Sequence, residues 1–401
     1  MEPKIRLQGF NEPWDNVRIK DISNIVTGAT PSTAISSYWE NGCIRWMSSG
    51  ELNEKYIYDV KGRITKEGYD NTGTHLLPPL CVLIGLAGQG KTRGTAAINF
   101  IELCTNQSIA AILPNEDKFD SLFLYHYIDG QYTNLRKLST GDGGRGGLNK
   151  QLLLDFEVSL PKMAEQKAIS TLLTKIDSLT SSISSRLESL KQMKEASMQA
   201  MFPQEGNLFP KVRFRGFEGD WKKVKADSIF KTFNEKNRPE LPVLSATQDR
   251  GMVTRESIGY NIFHDKSNEA TYKHILPGQF VIHLRSFQGG FAHSEIEGIA
   301  SPAYTIMDFK DKDLYYDYFW RYVFMSKEFI KRLELITYGI RDGRSISFDE
   351  FKEMIFIVPC KEEQVKIASY LRNIDKQITL QSQHLEKLKQ IKASCLEKMF
   401  V

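Results

Sequence analysis

The longest regular pattern in the sequence is an apolar stripe at helical spacing that occurs twice, at residues 165–202 and 363–400. In the first copy an isoleucine or leucine recurs every seven residues from Ile169 to Leu190, and a second, mostly apolar row follows three positions behind it. Such heptad spacing predicts a long helix that pairs with another helix as a coiled coil. A proline and an early glutamate mark the start of each copy, as is typical of helix N-termini. We therefore predict two helices of about 38 residues, each roughly 57 Å long.

Two apolar rows are predicted to form the coiled coil and to dock a partner. They are Ile169, Leu172, Ile176, Leu179, Ile183 and Leu190 in the first copy and Ile367, Tyr370, Ile374, Leu388 and Ile391 in the second. A third row, which includes Leu173 and Leu371, makes the stripe wider than a two-helix seam needs, so we expect it to contact another surface as well. The middle of the second copy is polar at Gln381 and His384, and a polar layer fixes the register of pairing at some cost in stability.

The two halves of the chain are repeats of each other. The pairs Glu165-Gln166, Ile176-Asp177 and Met201-Phe202 recur 198 residues later as Glu363-Gln364, Ile374-Asp375 and Met399-Phe400. Trp14 recurs as Trp221 at a spacing of 207, so the globular parts are repeated too but have diverged in length. A repeat of this length indicates duplicated architecture. We predict globular domains at 1–157 and 205–357, with a long helix after each at 158–204 and 358–401.

Short apolar runs bounded by Gly, Pro, Asn or Asp predict strands in both globular parts, at 82–86, 96–103, 275–284 and 354–358. Aromatic and charged residues at helical spacing predict helices at 119–138 and 314–335, and the aromatic run from Phe123 aligns with the run from Tyr318. Each globular part is therefore predicted to be a mixed α/β domain with a compact sheet and one or two helices. The whole chain is predicted to be of the α+β class with an internal pseudo-two-fold repeat.

The composition limits the class of protein without deciding its function. The 401 residues are 41% hydrophobic and carry a net charge of +4, which permits nucleic acid as a partner but is too small to indicate it alone. The five cysteines are scattered and form no CxxC pair, so we expect neither a disulfide framework nor a zinc site, and a reducing cytoplasm as the compartment. The longest apolar run, 76–87, is broken by prolines and too short to span a membrane, and from the first four residues we expect no signal peptide.

One motif of catalytic type is present. Residues 85–92 fit the P-loop pattern G-x-x-x-x-G-K-[ST], but residues 93–101 contain a glycine and strand-like alternation where a P-loop needs a helix. A strand-turn-strand loop is the favoured interpretation, and a nucleotide site is the alternative. The seven histidines form no metal-binding pattern, and no nucleophile is paired with a base in the sequence. We therefore expect neither catalytic residues nor a metal site.

Loops that mix Arg or Lys with amide, aromatic and glycine residues occur in both globular parts. Arginine can hold guanine, and glutamine or asparagine can hold adenine, through two hydrogen bonds, while glycine lets the backbone approach phosphate. A solvated loop is the alternative for any single residue, but recurrence in both domains favours DNA. The candidate DNA-binding residues are Arg45, Ser48, Gln89, Lys91, Arg93, Arg145, Asn149, Gln248, Arg250, Arg285, Gln288, Arg341 and Arg344.

With these features the chain resembles, over its whole length, the specificity (S) subunit of type I restriction-modification systems. The family pattern of a proline, then Glu-Gln, then Ile-Asp is matched at Pro161, Glu165-Gln166 and Ile176-Asp177 and again at Pro359, Glu363-Gln364 and Ile374-Asp375. The resemblance implies two target recognition domains, joined and separated by two long helices packed as an antiparallel coiled coil. Each domain is then expected to read one half of a bipartite, asymmetric site in double-stranded DNA, with the helices setting the spacing.

The resemblance also implies partner subunits, DNA methylation and a role in host defence. The expected partners are two modification (methyltransferase) subunits, which use S-adenosylmethionine, and restriction (motor-nuclease) subunits, which use ATP and magnesium. The chain alone is expected to be no enzyme and to hold no cofactor, and we expect its third apolar row to dock the partners. Two alternatives stay open: an NTPase built on residues 85–92, which leaves the duplication unexplained, and a structural coiled-coil adaptor, which gives the diverged domains no role.

Overall fold

The computed structural model describes residues 3–88, 92–138, 147–247, 250–258, 266–283, 290–337 and 347–400. The chain forms two compact units, one made of Met1–Ser184 with Gln383–Val401 and the other of Ser185–Ser382. Each unit therefore contains one globular domain, a part of the long helix that follows it, and a part of the other long helix. The domain boundaries drawn from the sequence stay a prediction.

The described strands of the first unit are short. They are β1 (Asp15–Arg18), β2 (Ile25–Thr27), β3 (Ile44–Met47), β4 (Tyr56–Ile57), β5 (Gly62–Ile64), β6 (Val82–Gly85), β7 (Ala96–Asn99), β8 (Cys104–Thr105), β9 (Ile109–Ile112) and β10 (Glu157–Leu160). The α-helices that begin in this unit are α1 (Ile19–Ile22), α2 (Lys66–Asp70), α3 (Ser121–Gly130), α4 (Tyr132–Leu138), α5 (Lys150–Leu154) and α6 (Met163–Ala200). Short 3-10 helices lie at Ser36–Tyr38 and Ser49–Glu54.

The second unit repeats this composition. Its described strands are β11 (Lys222–Lys225), β12 (Phe230–Phe233), β13 (Leu244–Thr247), β14 (Gly251–Thr254), β15 (Lys273–Ile275), β16 (Phe280–Ile282), β17 (Phe291–His293), β18 (Gly298–Ala300), β19 (Thr305–Phe309) and β20 (Ile355–Val358). Its α-helices are α7 (Ala226–Ile229), α8 (Asp317–Met325), α9 (Lys327–Thr337), α10 (Phe348–Phe351) and α11 (Lys361–Met399), and 3-10 helices lie at Arg255–Ile258 and Lys266–Thr271. No helix within the described ranges is both long and apolar enough to cross a membrane.

The two domains share one sheet topology. The first has the strand order β2-β9-β6-β7-β4, in which β4 joins in parallel, and the second has the corresponding order β12-β19-β16-β17. A smaller three-stranded sheet, β5-β3-β8, lies in the first domain, and the pairs β13-β14 and β15-β18 lie in the second. An antiparallel pair joins the start of each domain to its end, β1 with β10 and β11 with β20. The predicted α+β class and the predicted repeat are confirmed.

Local breaks divide several of the predicted elements. The predicted strand 275–284 is two strands, because Pro277 and Gly278 turn the chain and Gly278 has a φ of +87°, which favours glycine. The predicted helices at 119–138 and 314–335 are each two helices, α3 with α4 and α8 with α9. The predicted long helices are confirmed, since α6 has 38 residues and α11 has 39.

Each domain packs one face of its sheet against the long helices. The main core of the first unit joins Val82 of β6, Phe123 of α3 and Leu173 of α6. The main core of the second unit joins Phe280 of β16 to Leu371 of α11 in the same way. A second, smaller cluster covers the opposite face of each sheet. The long helices are therefore part of the domain cores.

The buried stripe of the helices differs from the one expected from the sequence. Leu173 and Leu371, from the third row, are fully buried, whereas Leu179, Tyr370 and Ile391, from the second row, are 46%, 36% and 41% exposed. The third row is buried because it packs into the core of its own unit. The expectation that the third row contacts another surface is confirmed, but the expectation that it docks a partner is wrong for Leu173 and Leu371. The second row does not complete the seam at Leu179 and Ile391, whereas Tyr370 contacts Ser197 of the other long helix.

The first row is mostly buried, and Ile169, Ile176 and Ile367 belong to the cores of their own units. Ile169, Ile176, Leu190, Ile367 and Ile374 are buried, while Ile183 and Leu388 are half-buried. Leu172, in the second row, packs against the core from its edge. The first row is therefore the part of the predicted stripe that is most consistently covered.

A buried ion pair ties the start of each domain to the helix that follows it. Arg6 donates two hydrogen bonds of 2.7 Å to the carboxylate of Glu165, and Arg213 donates two of 2.7 and 2.8 Å to Glu363. Both glutamates are almost fully buried. A two-pronged arginine contact satisfies both oxygens of a buried carboxylate, which explains why glutamate occupies the same position in both helices.

The glutamine after each of these glutamates closes a second contact. Gln166 accepts a hydrogen bond from the Asp120 amide at 2.9 Å and donates to the Pro161 carbonyl at 2.8 Å. Gln364 makes the equivalent contacts with the Tyr316 amide and the Pro359 carbonyl. The side chain therefore satisfies backbone groups at the start of α3 or α8 and before the long helix.

These equivalent contacts correct the alignment of the two aromatic runs. The glutamines bind the amides of Asp120 and Tyr316, which are 196 residues apart, so Phe123 corresponds to Phe319. The sequence alignment of Phe123 with Tyr318 is wrong by one position. A run rich in aromatic residues matches almost equally well at either offset, and only the packing distinguishes the two.

A carboxylate in the middle of each long helix joins that helix to the other one. Lys392 of α11 lies 2.7 Å from Asp177 of α6, and Lys194 of α6 lies 2.6 Å from Asp375 of α11. In the second unit the Ser197 hydroxyl also lies 3.4 Å from the Tyr370 hydroxyl, so positions rise along α6 as they fall along α11. The helix segments therefore pair antiparallel, as predicted.

Each of these aspartates also binds a tyrosine of its own domain. Tyr56 donates to Asp177 at 2.8 Å, and Tyr322 donates to Asp375 at 2.7 Å. Burial raises the pKa of both phenols, so they stay protonated and act as donors. His126 lies 4.0 Å from Asp177, but burial lowers its pKa to about 4, so this contact is no ion pair at neutral pH.

The end of each long helix completes the aromatic core of a unit. Phe400, at the end of the second helix, packs on Phe123 at a ring distance of 5.6 Å, and Phe123 lies 6.0 Å from Trp14. In the second unit Phe202 packs on Phe319 at 5.5 Å, and Phe319 lies 6.1 Å from Trp221. The repeated Met-Phe pair is therefore a core element of the unit that receives it.

Replacing Arg6 by alanine should destabilise the first unit, because the Glu165 carboxylate is then buried without a partner. Removing one member of a buried ion pair costs about 3 kcal/mol. The measurement is the urea unfolding midpoint of the whole chain, with hydrogen exchange to locate the loss near the start of α6. The control is Lys66→Ala, which breaks an exposed pair with Asp70 and should leave the midpoint nearly unchanged. Equal shifts in the unfolding midpoint for the two variants would contradict the stabilising role of the buried Arg6–Glu165 pair.

Candidate nucleic-acid interface

Several connections of the first domain meet at one end of its main sheet. The Leu86 amide, after β6, donates to the Ser108 carbonyl at 2.8 Å, and the Asn106 amide donates to the Met47 carbonyl at 3.1 Å. Gly147, before α5, lies against the Leu86 carbonyl. Leu86 after β6, the turn at 106–108, the segment after β3 and the residues that enter α5 therefore share one edge, which we call the first tip surface.

The second domain has a corresponding edge, the second tip surface. Ile282 at the end of β16 pairs with Phe291 of β17 and with Thr305 of β19. The ring of His283 contacts the ring of Tyr304, so the turn before β19 lies beside the end of β16. The hairpin of β13 and β14 lies next to β17. The end of β16, the start of β19 and the β13–β14 hairpin thus lie at one edge of the second domain.

One glycine is essential to this second edge. Gly251, at the start of β14, has a φ of +74°, and an added Cβ would lie 2.3 Å from the His293 carbonyl oxygen. Only glycine fits both the conformation and the space. The adjacent turn is closed by Thr247, whose hydroxyl accepts from the Arg250 amide and donates to the Gly251 carbonyl. Arg250 is exposed at this turn.

Arg45 lies on β3 with its side chain engaged by a neighbouring carboxylate. Its Nε is 3.2 Å from Asp59, which also binds Arg63 at 2.9 Å. Hydrogen bonding from the Val60 backbone, followed by that from Arg45, lowers the pKa of Asp59 and keeps it ionised. The charge of Arg45 is therefore partly balanced within the domain.

Two other predicted site residues have local structural roles. The Ser48 hydroxyl and amide both bind Glu51, at 3.0 and 2.8 Å, in a capping box at the start of the 3-10 helix Ser49–Glu54. The Asn149 side chain accepts from the Leu152 amide at 2.9 Å and caps α5. Both residues lie at the first tip surface, but capping alone accounts for their residue types.

Arg93 lies half-buried in the β6–β7 connection of the first domain. Gly94, the next residue, donates its amide to the Gly85 carbonyl at 2.8 Å, and β7 begins two residues later at Ala96. A strand thus stands where a P-loop needs a helix, and the strand-turn-strand interpretation is confirmed.

The remaining candidate DNA-binding residues lie outside the described residues. They are Gln89, Lys91, Arg145, Gln248, Arg285, Gln288, Arg341 and Arg344. Their assignment stays a prediction. Within the part of the chain that the structure describes, no group of three or more His, Cys, Asp or Glu side chains is arranged to hold a metal ion.

Sequence reasoning missed one polar pair at the first tip surface. The Thr30 hydroxyl donates to the Gln107 side-chain oxygen at 2.6 Å, and both residues are exposed. They are 77 residues apart in the chain, so no local pattern signals the contact.

The comparisons with known proteins agree on one family. The family described as type I restriction modification DNA specificity domain matches the chain twice, at residues 11–192 and 218–390. A type I restriction enzyme specificity subunit of Escherichia coli is 27% identical over 163 residues, an alignment that covers only 40% of either chain. A specificity subunit of Methanocaldococcus jannaschii is 23% identical over 399 residues, which is 95% of this chain and 90% of the relative.

A solved structure shows the same fold at low sequence identity. The type I restriction-modification system S subunit from M. genitalium has 14% identity to this chain and a TM-score of 0.66, with 100% of this chain and 99% of that one covered. Because the family matches occupy most of the sequence and repeat as its two domains do, the chain belongs to the family of type I restriction-modification DNA specificity subunits.

Proposed function

We propose that the chain is the non-catalytic subunit that reads DNA sequence for a type I restriction-modification complex, with each domain reading one half of a bipartite, asymmetric site. One observation carries the proposal. The contacts that fix the domains to the helices repeat in both halves, from Glu165 and Glu363 to Asp177 and Asp375. The tip connections do not repeat, since 86–95 in the first domain corresponds to the shorter 283–290 in the second.

Repeated scaffold contacts with different tip connections suit a protein that recognises two different sequences with one scaffold. Base edges are read by side chains whose identity differs from target to target, whereas backbone contacts and the scaffold need not change. Two domains that approach the same face of B-DNA need centres about one helical turn, roughly 10 bp, apart. An unread spacer between two short specified segments follows, and the helices set its length.

The proposed partners are two modification subunits and the restriction subunits. The modification subunits would bring S-adenosylmethionine for adenine methylation, and the restriction subunits ATP and magnesium, in the cytoplasm. The proposed dock is the exposed second row of the helices, with Leu179 and Ile391 in the first unit and Met193 in the second. Exposed apolar side chains on a helix are suited to burial against a partner.

Replacing Arg250 by alanine should weaken DNA binding by the second domain, because an exposed cation at the tip surface is lost. The loss of one phosphate contact lowers the salt slope of binding by about 1. Arg45→Ala should have a smaller effect, since Asp59 already binds that guanidinium. The measurement is a fluorescence titration of the complete methyltransferase with its target duplex at several salt concentrations. Equal losses for the two variants would contradict the proposal.

Deleting this gene alone should abolish one gapped, asymmetric adenine-methylation motif from the genome of its host. The measurement is genome-wide adenine methylation in cells with the neighbouring methyltransferase gene, with and without this gene. Restoring the gene on a plasmid should restore the motif and serves as the control. A methylome that is identical in both strains would count against the proposed function.

Replacing Leu179 or Ile391 by aspartate should weaken capture of the modification subunit, because a charge then lies in the apolar dock. Both side chains are exposed, so the chain should keep its own unfolding midpoint. The measurement is co-purification and titration of the two subunits. Ser182→Asp, at an exposed position of the same helix, is the control. Undiminished binding by the Leu179 and Ile391 variants would show that the modification subunit does not dock on these side chains.

A further inference from the structure

The Thr30–Gln107 pair presents an exposed amide at a defined position of the first tip surface. The Thr30 hydroxyl donates to Oε1 of Gln107 at 2.6 Å. Within the described residues, the amide nitrogen of Gln107 makes no hydrogen bond, and the oxygen retains a second lone pair. The side chain is therefore held at one end and keeps donor and acceptor capacity for a ligand.

The turn that carries Gln107 is fixed by hydrogen bonds on both sides. The Asn106 side chain accepts from the Ser108 amide at 3.1 Å, and the Asn106 carbonyl accepts from the Ile109 amide at 3.2 Å. The Ser108 carbonyl in turn binds the Leu86 amide at the end of β6. Gln107 thus stands on a well-braced connection between two strands, beside the β6–β7 connection.

We propose that Gln107 is a specificity-determining residue that reads an adenine in the half-site of the first domain. This rests on the proposed function. Adenine offers an acceptor at N7 and a donor at N6 in the major groove, which match the amide donor and acceptor of glutamine. In the observed contact the Thr30 hydroxyl donates to the amide oxygen, which leaves the amide nitrogen of Gln107 to face a base acceptor.

The equivalent turn of the second domain differs at this position. There the Ser301 hydroxyl accepts from the Ala303 amide at 3.3 Å, as the Asn106 side chain does from Ser108. Pro302 therefore takes the place of Gln107. A proline side chain has no hydrogen-bonding group, so the second domain cannot read adenine with this side chain. The same scaffold position thus gives the two domains different readouts.

Gln107→Ala should relax one adenine position in the first half-site, with discrimination falling roughly ten- to a hundredfold. Gln107→Glu should shift the preference at that position toward cytosine, because a carboxylate accepts from cytosine N4. Thr30→Val should lower the discrimination by a smaller factor, because the Gln107 side chain then loses the hydrogen bond that holds it in place. The measurement is the adenine methylome of cells that carry each variant with the full modification complex.

Gln390→Ala, at an exposed glutamine on α11, is the control and should leave the motif unchanged. Retained recognition of the second half-site shows that a variant folds and assembles. An unchanged motif in both Gln107 variants would overturn the assignment of Gln107 while the proposed function stands. Failure of the unsubstituted chain to direct any gapped motif would instead refute the proposed function.

Discussion

Both units depend on an aromatic side chain delivered by the end of a long helix. Phe400 completes the cluster around Trp14 and Phe123, and Phe202 completes the one around Phe319. Truncating a buried aromatic side chain to alanine costs about 3–5 kcal/mol. The first domain receives its phenylalanine from the second half of the sequence, and the second domain receives its own from the first half. Each domain therefore takes part of its core from the other repeat.

The polar contacts between the long helices fix the register of this apolar packing. A largely buried carboxylate is stable only when its charge and hydrogen bonds are satisfied, so Asp177 requires Lys392 and Tyr56 in place. A shift of one helix along the other would separate Asp177 from Lys392 and leave a charge unpaired. Apolar residues at heptad spacing tolerate such a shift more easily, because leucine and isoleucine replace one another at modest cost. The aspartates thus select one register.

The sequence predicted the duplication, the two long helices and the α+β class, because each rests on a pattern repeated over many residues. It could not decide which two of three apolar rows are buried, since Leu173 and Leu179 are the same residue type and only the domain core distinguishes them. Nor could it separate capping from recognition. Ser48 and Asn149 are residue types typical of DNA-contacting loops, yet the Ser48 hydroxyl donates to Glu51 and the Asn149 side chain accepts from the Leu152 amide.

Recognition surfaces are hard to predict because their residues are under little structural constraint. The anchors at Glu165 and Glu363 each satisfy a buried carboxylate with the same two-pronged arginine contact, so both copies retain it. An exposed turn such as 106–108 needs only its backbone bonds, and the residue at its apex can be glutamine in one domain and proline in the other. Under the proposed function, residues at the tips could change to suit new DNA targets without loss of the contacts that stabilise the scaffold.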